Sequence, residues 1–188
     1  MRQAGLRIVL IASLLTVGLR AGAQNADSES SEYLIKAGFI YNFGKLVEWP
    51  GAAFPQSSSP LVIGVLGNDN FAATLEHVVD GKKIDARPFV VKRLRWSKDF
   101  TCGCHILFIA SAESVHADET LQALKNTSVL TIAETPGFAR RGGVINFTLE
   151  DSKVRFEVNV DAAHQVGLNI SSRLLSLAKI VQTQTSLR

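Results

Sequence analysis

The chain has 188 residues, of which 46% are hydrophobic and 20% charged, and its formal net charge is +3. This length and composition fit one globular domain with its own core, and they exclude a disordered, fibrous or linker protein. Arg2, Arg7 and Arg20 lie within the first 23 residues, so the rest of the chain has a formal charge of zero. A neutral chain lacks the basic surface that holds phosphates, and we therefore expect no nucleic-acid partner.

The first 23 residues have the three parts of a secretory signal peptide. Two arginines precede an apolar run at positions 8–19, and small residues follow at 21–23. The run is shorter than the roughly 20 apolar residues that a membrane-spanning helix needs. We predict export to the periplasm with cleavage after Ala23, followed by a polar, flexible arm over residues 24–32.

The folded part is predicted to begin with a helix over residues 33–48, which Pro50 ends. Only four of these sixteen residues are strongly polar. A helix this apolar is either covered by the protein on most sides or offers a surface to a partner. One hypothesis is that Phe39, Phe43 and Trp49 form a dimer or partner interface, and the other is a central helix that is covered all round.

Strands and helices alternate in the middle of the chain. Continuous apolar runs of strand length are typical of strands covered on both faces, as in parallel sheets. Such runs predict strands at 61–66, 89–94, 105–110 and 129–132, with helices at 71–79 and 118–125. This order predicts a layered α/β sheet.

Towards the C-terminus the apolar residues alternate with polar ones. Residues 144–149 and 154–160 flank the turn sequence at 150–153, which predicts an antiparallel hairpin with one solvent-exposed face. Apolar residues three and four apart then predict a final helix over 171–182. We predict a single α/β domain over 33–188, with a largely parallel sheet flanked by helices and an antiparallel C-terminal hairpin.

No group of residues in the sequence forms a recognisable active site. Gly64 and Gly67 end a strand that leads into a helix, but the third glycine of a dinucleotide fingerprint and the Gly-Lys-Ser/Thr of a P-loop are absent. No Gly-x-Ser-x-Gly elbow is present. We predict no catalytic residues and no cofactor.

Cys102, Cys104 and His105 are the sharpest local cluster. Thiolates and an imidazole bind soft metals, but a stable site needs a further ligand, and the other histidines have no ligand spacing. Two cysteines in an exported protein favour a disulfide, although a bridge across one residue closes a small ring. Free thiols, an internal disulfide, a bridge to a partner chain and metal or redox chemistry all stay open. Cys102 and Cys104 are candidate redox residues, and no metal site is predicted.

Two basic patches lie at residues 93–98 and 140–143. In a neutral exported protein, such patches favour a solvated rim or a protein contact over nucleic acid. In the second patch, Gly142 and Gly143 indicate a loop that needs a positive φ or a close approach of the backbone.

Three stretches together resemble the YfiR family of periplasmic proteins. Residues 33–50 are similar to the first helix of the family, residues 104–109 to its central strand, and residues 142–147, 156–159 and 167–175 to its C-terminal half. The resemblance covers essentially the whole predicted domain. Its motifs are structural signatures and say nothing about chemistry.

The resemblance implies a non-enzymatic regulator. The member that gives the family its name restrains an inner-membrane diguanylate cyclase through the periplasmic portion of that enzyme, which lowers cyclic-di-GMP output and biofilm formation. An outer-membrane lipoprotein sequesters that repressor. By resemblance we expect a periplasmic homodimer whose partners are such a cyclase, or another inner-membrane sensor protein with a periplasmic region, and such a lipoprotein.

The cysteines depart from the pattern that the family implies. Disulfide-bonded members pair the cysteine before the central strand with a more distant one. Here the strand at 61–66 has no cysteine, and the second cysteine is Cys102.

The main alternative is a small-molecule sensor that feeds another membrane receptor. Ligands of doubly wound sheets bind at the carboxyl ends of the strands, here near residues 67–69 and 110–111. A periplasmic hydrolase ranks last, because no activated nucleophile is apparent.

Overall fold

A computed structural model of the protein describes residues 17–184, with side chains from residue 30 onward. Residues 1–16, which hold most of the predicted signal peptide, lie outside this range. The helices are α1 (Val17–Leu46), α2 (Asp69–Val79), α3 (Ala117–Ala123), α4 (Val160–Gln165) and α5 (Ser172–Leu175). The strands are β1 (Val47–Glu48), β2 (Leu61–Leu66), β3 (Lys83–Ile84), β4 (Arg87–Leu94), β5 (Ile106–Ile109), β6 (Leu130–Ala133), β7 (Ile145–Glu150), β8 (Lys153–Asn159), β9 (Asn169–Ile170) and β10 (Lys179–Val181).

Eight of these strands form one mostly parallel sheet. Its order is β10-β8-β7-β6-β5-β2-β4-β3, and β1 pairs with β9 in a separate antiparallel ribbon. Strands β4, β2, β5, β6 and β7 are parallel to one another, while β7 and β8 form an antiparallel hairpin. The predicted architecture, a largely parallel sheet flanked by helices with an antiparallel hairpin, is therefore confirmed.

Burial of the central strands on both faces explains their continuous apolar sequence. In β2, the side chains of Leu61, Ile63 and Val65 enter the core layer that contains residues of α1 and α2. The intervening Val62 and Leu66 enter a second layer with residues of α3. Successive side chains of a strand point to opposite faces, so a strand that is covered on both sides has no polar position.

Helix α1 is longer than predicted, because it begins at Val17 and includes residues 24–32. The sequence predicts an arm there from its polarity, but these residues contain no proline or glycine to end a helix. No helix within residues 17–184 is both long and apolar enough to cross a membrane. The helix ends at Leu46, and the chain continues into β1, where Val47 pairs with Ile170 of β9.

The predicted final helix over 171–182 is wrong. Helix α5 spans only four residues, and the chain then extends as β10, parallel to the outer side of β8. Leu177, which the helical pattern places on the apolar face, is 65% exposed, while Val181 is buried beside β8. Pairing with an open strand edge overrides the helical spacing here, because β10 satisfies backbone groups of β8 that a helix would leave unpaired.

Two turn predictions are confirmed by backbone geometry. The β7–β8 turn has positive φ at Asp151 (50°) and Ser152 (59°), as a two-residue hairpin turn requires. Gly142 has φ of 105°, and a Cβ at Gly143 would overlap the ring of Phe138. The Gly-Gly pair therefore meets both requirements that the sequence indicates, a positive φ and a close approach.

We expect Phe43→Ala to lower the free energy of unfolding by about 3–5 kcal/mol, because it removes a fully buried ring from the core. The ring contacts Phe156 and Phe147, with ring centroids 5.1 and 5.9 Å away. Leu34→Ala on the same helix is the control, since Leu34 is 54% exposed and its loss should cost roughly 0.5 kcal/mol or less. Denaturant unfolding measures both, and equal losses would contradict this packing of α1.

Candidate functional site

The three residues predicted to form an interface differ in their exposure. Phe43 has no exposed surface and is a core residue, so the structure corrects its placement on an interface. Phe39 is half-buried and packs edge-on against Phe156, with the ring centroids 5.3 Å apart. Trp49 is also half-buried, and its Nε1 donates to the carbonyl oxygen of His105 at 3.3 Å. For Phe39 and Trp49 the interface stays a prediction.

The two cysteines form a disulfide with each other. Both are buried in the core layer on the α3 side of the sheet. In this structure they are neither free thiols nor bonded to another chain, and a redox role stays a prediction. The disulfide lies beside the central sheet, where a Cβ at Gly64 would lie 3.2 Å from the Sγ of Cys104.

The imidazole of His105 forms hydrogen bonds to two backbone segments, strand β2 and the loop after β1. Its Nδ1 accepts the backbone N–H of Val62 at 3.0 Å, and its Nε2 lies 3.1 Å from the carbonyl oxygen of Ala53. Because Nδ1 accepts, the proton is assigned to Nε2, which donates to Ala53. The ring stacks on Phe54 with centroids 4.3 Å apart. Burial lowers the pKa of His105 from its ordinary value of 6.5, against the opposing effect of the Ala53 hydrogen bond.

Both ring nitrogens of His105 are thus in contact with the backbone, and the neighbouring cysteines are bonded to each other. Within residues 17–184, no three His, Cys, Asp or Glu side chains lie close enough together to hold a metal ion. Residues 102–105 therefore have a structural role in this fold. His105 holds the loop after β1, and the two cysteines fill part of the core layer on the α3 side.

A cleft of about 620 Å³ opens at the carboxyl ends of β5 and β6. Ser111 lies two residues after the end of β5, and Glu134 directly follows β6, so the parallel strands bring both residues to one edge of the sheet. Helix α1 contributes Lys36, and the β7–β8 hairpin contributes Thr148 and Glu157. We call this feature the carboxyl-edge cleft.

A buried ion pair lies on one side of the carboxyl-edge cleft. Lys36 is only 4% exposed, and its Nζ lies 2.5 Å from Oε2 of Glu134. A second carboxylate, that of Glu32 one turn earlier on α1, also pairs with this ammonium group. The other oxygen of Glu134 accepts the backbone N–H of Ser111 at 3.0 Å. Burial of a charge is costly unless it is paired, and these contacts supply the pairing.

The other side of the cleft has a second set of charges. Glu157 is buried, and its Oε1 lies 3.5 Å from Nη2 of Arg140 and 3.7 Å from Nζ of Lys179. Thr148 also lines the cleft, and its hydroxyl oxygen is buried without a hydrogen-bond partner among the described residues. The cleft thus combines cations, carboxylates and an unpaired hydroxyl, which suits a small polar ligand.

The sequence predicts only part of this cleft. The sequence predicts a ligand near residues 67–69 and 110–111. Ser111, in the second of these two loops, lines the cleft. Asn68 in the other loop instead caps α2, since its Oδ1 accepts from the N–H of Phe71 at 2.8 Å and its Nδ2 donates to the hydroxyl of Tyr33 at 2.7 Å. Lys36 and Glu134 were missed, because they lie 98 positions apart. The one available signal is a lysine within the apolar stripe of the first helix.

Residues 33–179 match the family described as DUF4154, YfiR/HmsC-like. The match spans more than three quarters of the chain. The chain belongs to the YfiR/HmsC-like family. No curated protein matches the chain.

Membership of this family confirms the resemblance seen in the sequence. The YfiR/HmsC-like family is one of periplasmic regulators rather than enzymes, and it suggests a role in the control of a diguanylate cyclase. The matched range contains the disulfide, His105 and most of the carboxyl-edge cleft, including Lys36 and Glu134.

We expect the stability of the protein to fall as the pH drops below about 6.5, partly through His105. Its pKa is lower in the folded than in the unfolded chain, so the unfolded chain binds the proton more readily. His105 makes its full contribution to stability when the pH is above its pKa in the unfolded chain. This contribution is lost as the pH falls towards its pKa in the folded chain.

Melting temperatures between pH 8 and pH 5 measure this effect. His105→Gln should flatten the profile, whereas the same change at the exposed His77 should leave its slope as in the unmodified protein. Identical slopes for the unmodified protein and His105→Gln would contradict the assignment.

We expect Lys36→Met to lower the free energy of unfolding by about 3–5 kcal/mol, because it leaves the buried carboxylate of Glu134 without its cation. Adding Glu134→Gln removes that unpaired charge, so the double variant should be more stable than the sum of the single losses predicts, by about 1–3 kcal/mol. Denaturant unfolding of the four proteins measures this coupling. Additive losses would show that the two side chains do not interact.

Proposed function

We propose that this chain is a non-enzymatic periplasmic regulator that binds and restrains an inner-membrane diguanylate cyclase, thereby lowering cyclic-di-GMP signalling and biofilm formation. The observation that carries the proposal is the match of residues 33–179 to the YfiR/HmsC-like family. The signal-peptide pattern of residues 1–23 supports it, because cleavage after Ala23 would deliver the domain to the periplasm.

The state of the reactive side chains also supports binding rather than catalysis. The cysteines are joined in a buried disulfide, and His105 contacts the backbone through both ring nitrogens. Lys36 is held by carboxylates in the interior. A nucleophile or a general base needs access to a substrate, and these groups are engaged in contacts that hold the fold together.

In this proposal the partner is the periplasmic region of the cyclase or of a related inner-membrane sensor protein. A homodimer and an outer-membrane lipoprotein that sequesters the regulator are further parts of the proposal. Phe39 and Trp49 are the candidate residues for a dimer or partner contact, since each keeps part of its surface exposed.

The test is to express the affinity-tagged full chain in its own host after deletion of the chromosomal copy. Cyclic-di-GMP is then measured, and inner membranes are solubilised to identify the proteins that purify with the chain. We expect cyclic-di-GMP to fall at least several-fold and a diguanylate cyclase with a periplasmic region to be recovered.

The matched control is the chain without residues 1–23, which should remain inside the cell and leave cyclic-di-GMP unchanged. An equal fall with this control would contradict a periplasmic site of action. Unchanged cyclic-di-GMP with the full chain would overturn the regulator proposal.

A second candidate function is a small-molecule sensor, and the carboxyl-edge cleft is the observation that favours it. Thermal denaturation of the full chain in the presence of amino acids, nucleotides or metal ions tests this function, because a ligand of the folded state raises the melting temperature with its concentration. A concentration-dependent rise that Thr148→Val reduces would place the ligand in the cleft. No rise with any of these compounds would count against a sensor for them.

A further inference from the structure

One wall of the carboxyl-edge cleft is the part of the β7–β8 hairpin that projects past the end of β6. Among the described residues, β6 pairs with β7 at positions 145 and 146 alone. Residues 147–149 line the cleft beyond that pairing. The cleft volume of about 620 Å³ is within the range of small-molecule sites, which is roughly 300–1,000 Å³. A small ligand therefore has room between the hairpin, α1 and the loop that follows β6.

The two charged sets of the cleft differ in how much hydrogen-bonding capacity they have left. Both carboxylate oxygens of Glu134 are engaged, one by the ammonium group of Lys36 and the other by a backbone N–H at 3.0 Å. The contacts of Glu157 are longer, since Nη2 of Arg140 lies 3.5 Å and Nζ of Lys179 lies 3.7 Å from its Oε1. A charge-assisted N–H···O bond measures about 2.7–2.9 Å, so these cations balance the charge of Glu157 without forming a strong hydrogen bond to it.

Glu157 and Arg140 therefore offer an acceptor and donors next to each other, and we call these two side chains the polar corner. The side chain of Glu157 is only 9% exposed, so a ligand that donates a hydrogen bond to it satisfies a group that is costly to leave unmet. The guanidinium group of Arg140 has five N–H donors, and this side chain is 36% exposed. A hydroxyl group suits both residues, because its O–H donates to a carboxylate and its oxygen accepts from a guanidinium group.

The charges of the two sets balance. They comprise three carboxylates and three cations, which are Glu32, Glu134, Glu157, Lys36, Arg140 and Lys179. An ionic ligand brings a charge that must compete with a partner already in place. A neutral ligand adds hydrogen bonds without displacing an ion pair, so the charge balance favours a neutral occupant.

The cleft also has apolar surface. Leu149 on the hairpin is 57% exposed, and the half-buried ring of Tyr33 lines the cleft from α1. Small-molecule sites combine such surface with a few placed polar groups. A sugar ring matches this combination, because it has hydroxyl groups around its edge and apolar C–H groups on its faces.

We propose that the carboxyl-edge cleft binds a neutral, polyhydroxylated ligand, a sugar of one or two rings. Its hydroxyl groups pair with the polar corner, and its apolar face packs on Leu149. This proposal goes beyond the regulator. It gives the sensor candidate a ligand class, and it rests on that candidate only for the idea that the cleft holds a ligand.

Free sugars and the ends of polysaccharide chains share this chemistry, so the probes include both. They are glucose, galactose, N-acetylglucosamine, trehalose and the polysaccharide dextran, with free glutamate and free lysine as charged comparators. Hydrogen exchange of the full chain is measured with each compound, and calorimetry gives the Kd.

We expect at least one sugar to slow amide exchange within residues 134–140 and 145–150. Its Kd should change less than about twofold between about 20 and 500 mM salt, because a neutral ligand makes no ion pair that salt can screen. Protection by dextran alone would assign the cleft to the end of a polysaccharide chain. No protection by any sugar or by dextran would overturn the proposal, as would tighter binding of glutamate or lysine in the cleft.

Two variants of the polar corner test the assignment, and each has a matched control. Glu157→Gln and Arg140→Gln should each weaken the bound sugar at least about tenfold, because a ligand hydroxyl loses its charged partner. Glu119→Gln and Arg173→Gln make the same changes at exposed positions outside the cleft and should leave the Kd within about twofold. Equal weakening by the variants and their controls would overturn the assignment to the polar corner.

Leu149→Ser provides a test that does not depend on the folding of the polar-corner variants. Because Leu149 is 57% exposed, its replacement leaves the core intact. The variant should weaken the sugar at least about threefold through the loss of buried apolar surface. Leu177→Ser, at a leucine that is 65% exposed outside the cleft, should leave the Kd unchanged. Equal affinities of Leu149→Ser and the unmodified protein would overturn the proposed packing of the sugar.

The same measurements separate this proposal from the proposed function. If a sugar binds in the cleft but cyclic-di-GMP never responds to the chain, the cleft assignment stands and the regulator fails. If the chain lowers cyclic-di-GMP and no sugar binds, the regulator stands and the cleft assignment fails.

Discussion

The packing of helix α1 against the sheet is the constraint on which the rest of the structure depends. Parallel strands such as β2 and β5 are apolar throughout and need cover on both faces. The stripe formed by Ala37, Ile40 and Phe43 supplies much of that cover on one face. The same stripe contains Lys36, whose burial requires Glu134 to turn inward after β6. The carboxyl-edge cleft therefore lies where the core is closed by a helix whose apolar stripe includes a buried lysine.

Parts of the fold that depend on local pattern were predictable, and parts that depend on distant partners were not. The runs at β2, β5 and β6 indicate doubly covered strands because every position is apolar, and the hairpin follows from alternation. The last segment has helical spacing, yet Val181 lies in a strand because the edge of β8 is available to it. The carboxyl-edge cleft could not be predicted for the same reason, since nothing near Lys36 in the sequence indicates that Glu134 is its partner.

The chemistry that is most conspicuous in the sequence has a structural role in the fold. Cys102, Cys104 and His105 look like a metal or redox cluster, yet the cysteines bond to each other and the imidazole joins Val62 to Ala53. The less conspicuous basic stretch at 93–98 begins on an open edge of the sheet.

The pairing of β1 with β9 and of β10 with β8 ties the beginning of the domain to its end. A chain that crosses a membrane with its N-terminus first presents the apolar stripe of α1 before the hairpin that covers Phe43 has emerged. The ribbon that receives Val47 is not available until Ile170 has followed. The native packing of α1 therefore forms only when the C-terminal part of the domain is present. Until then the apolar stripe of α1 is open to aggregation.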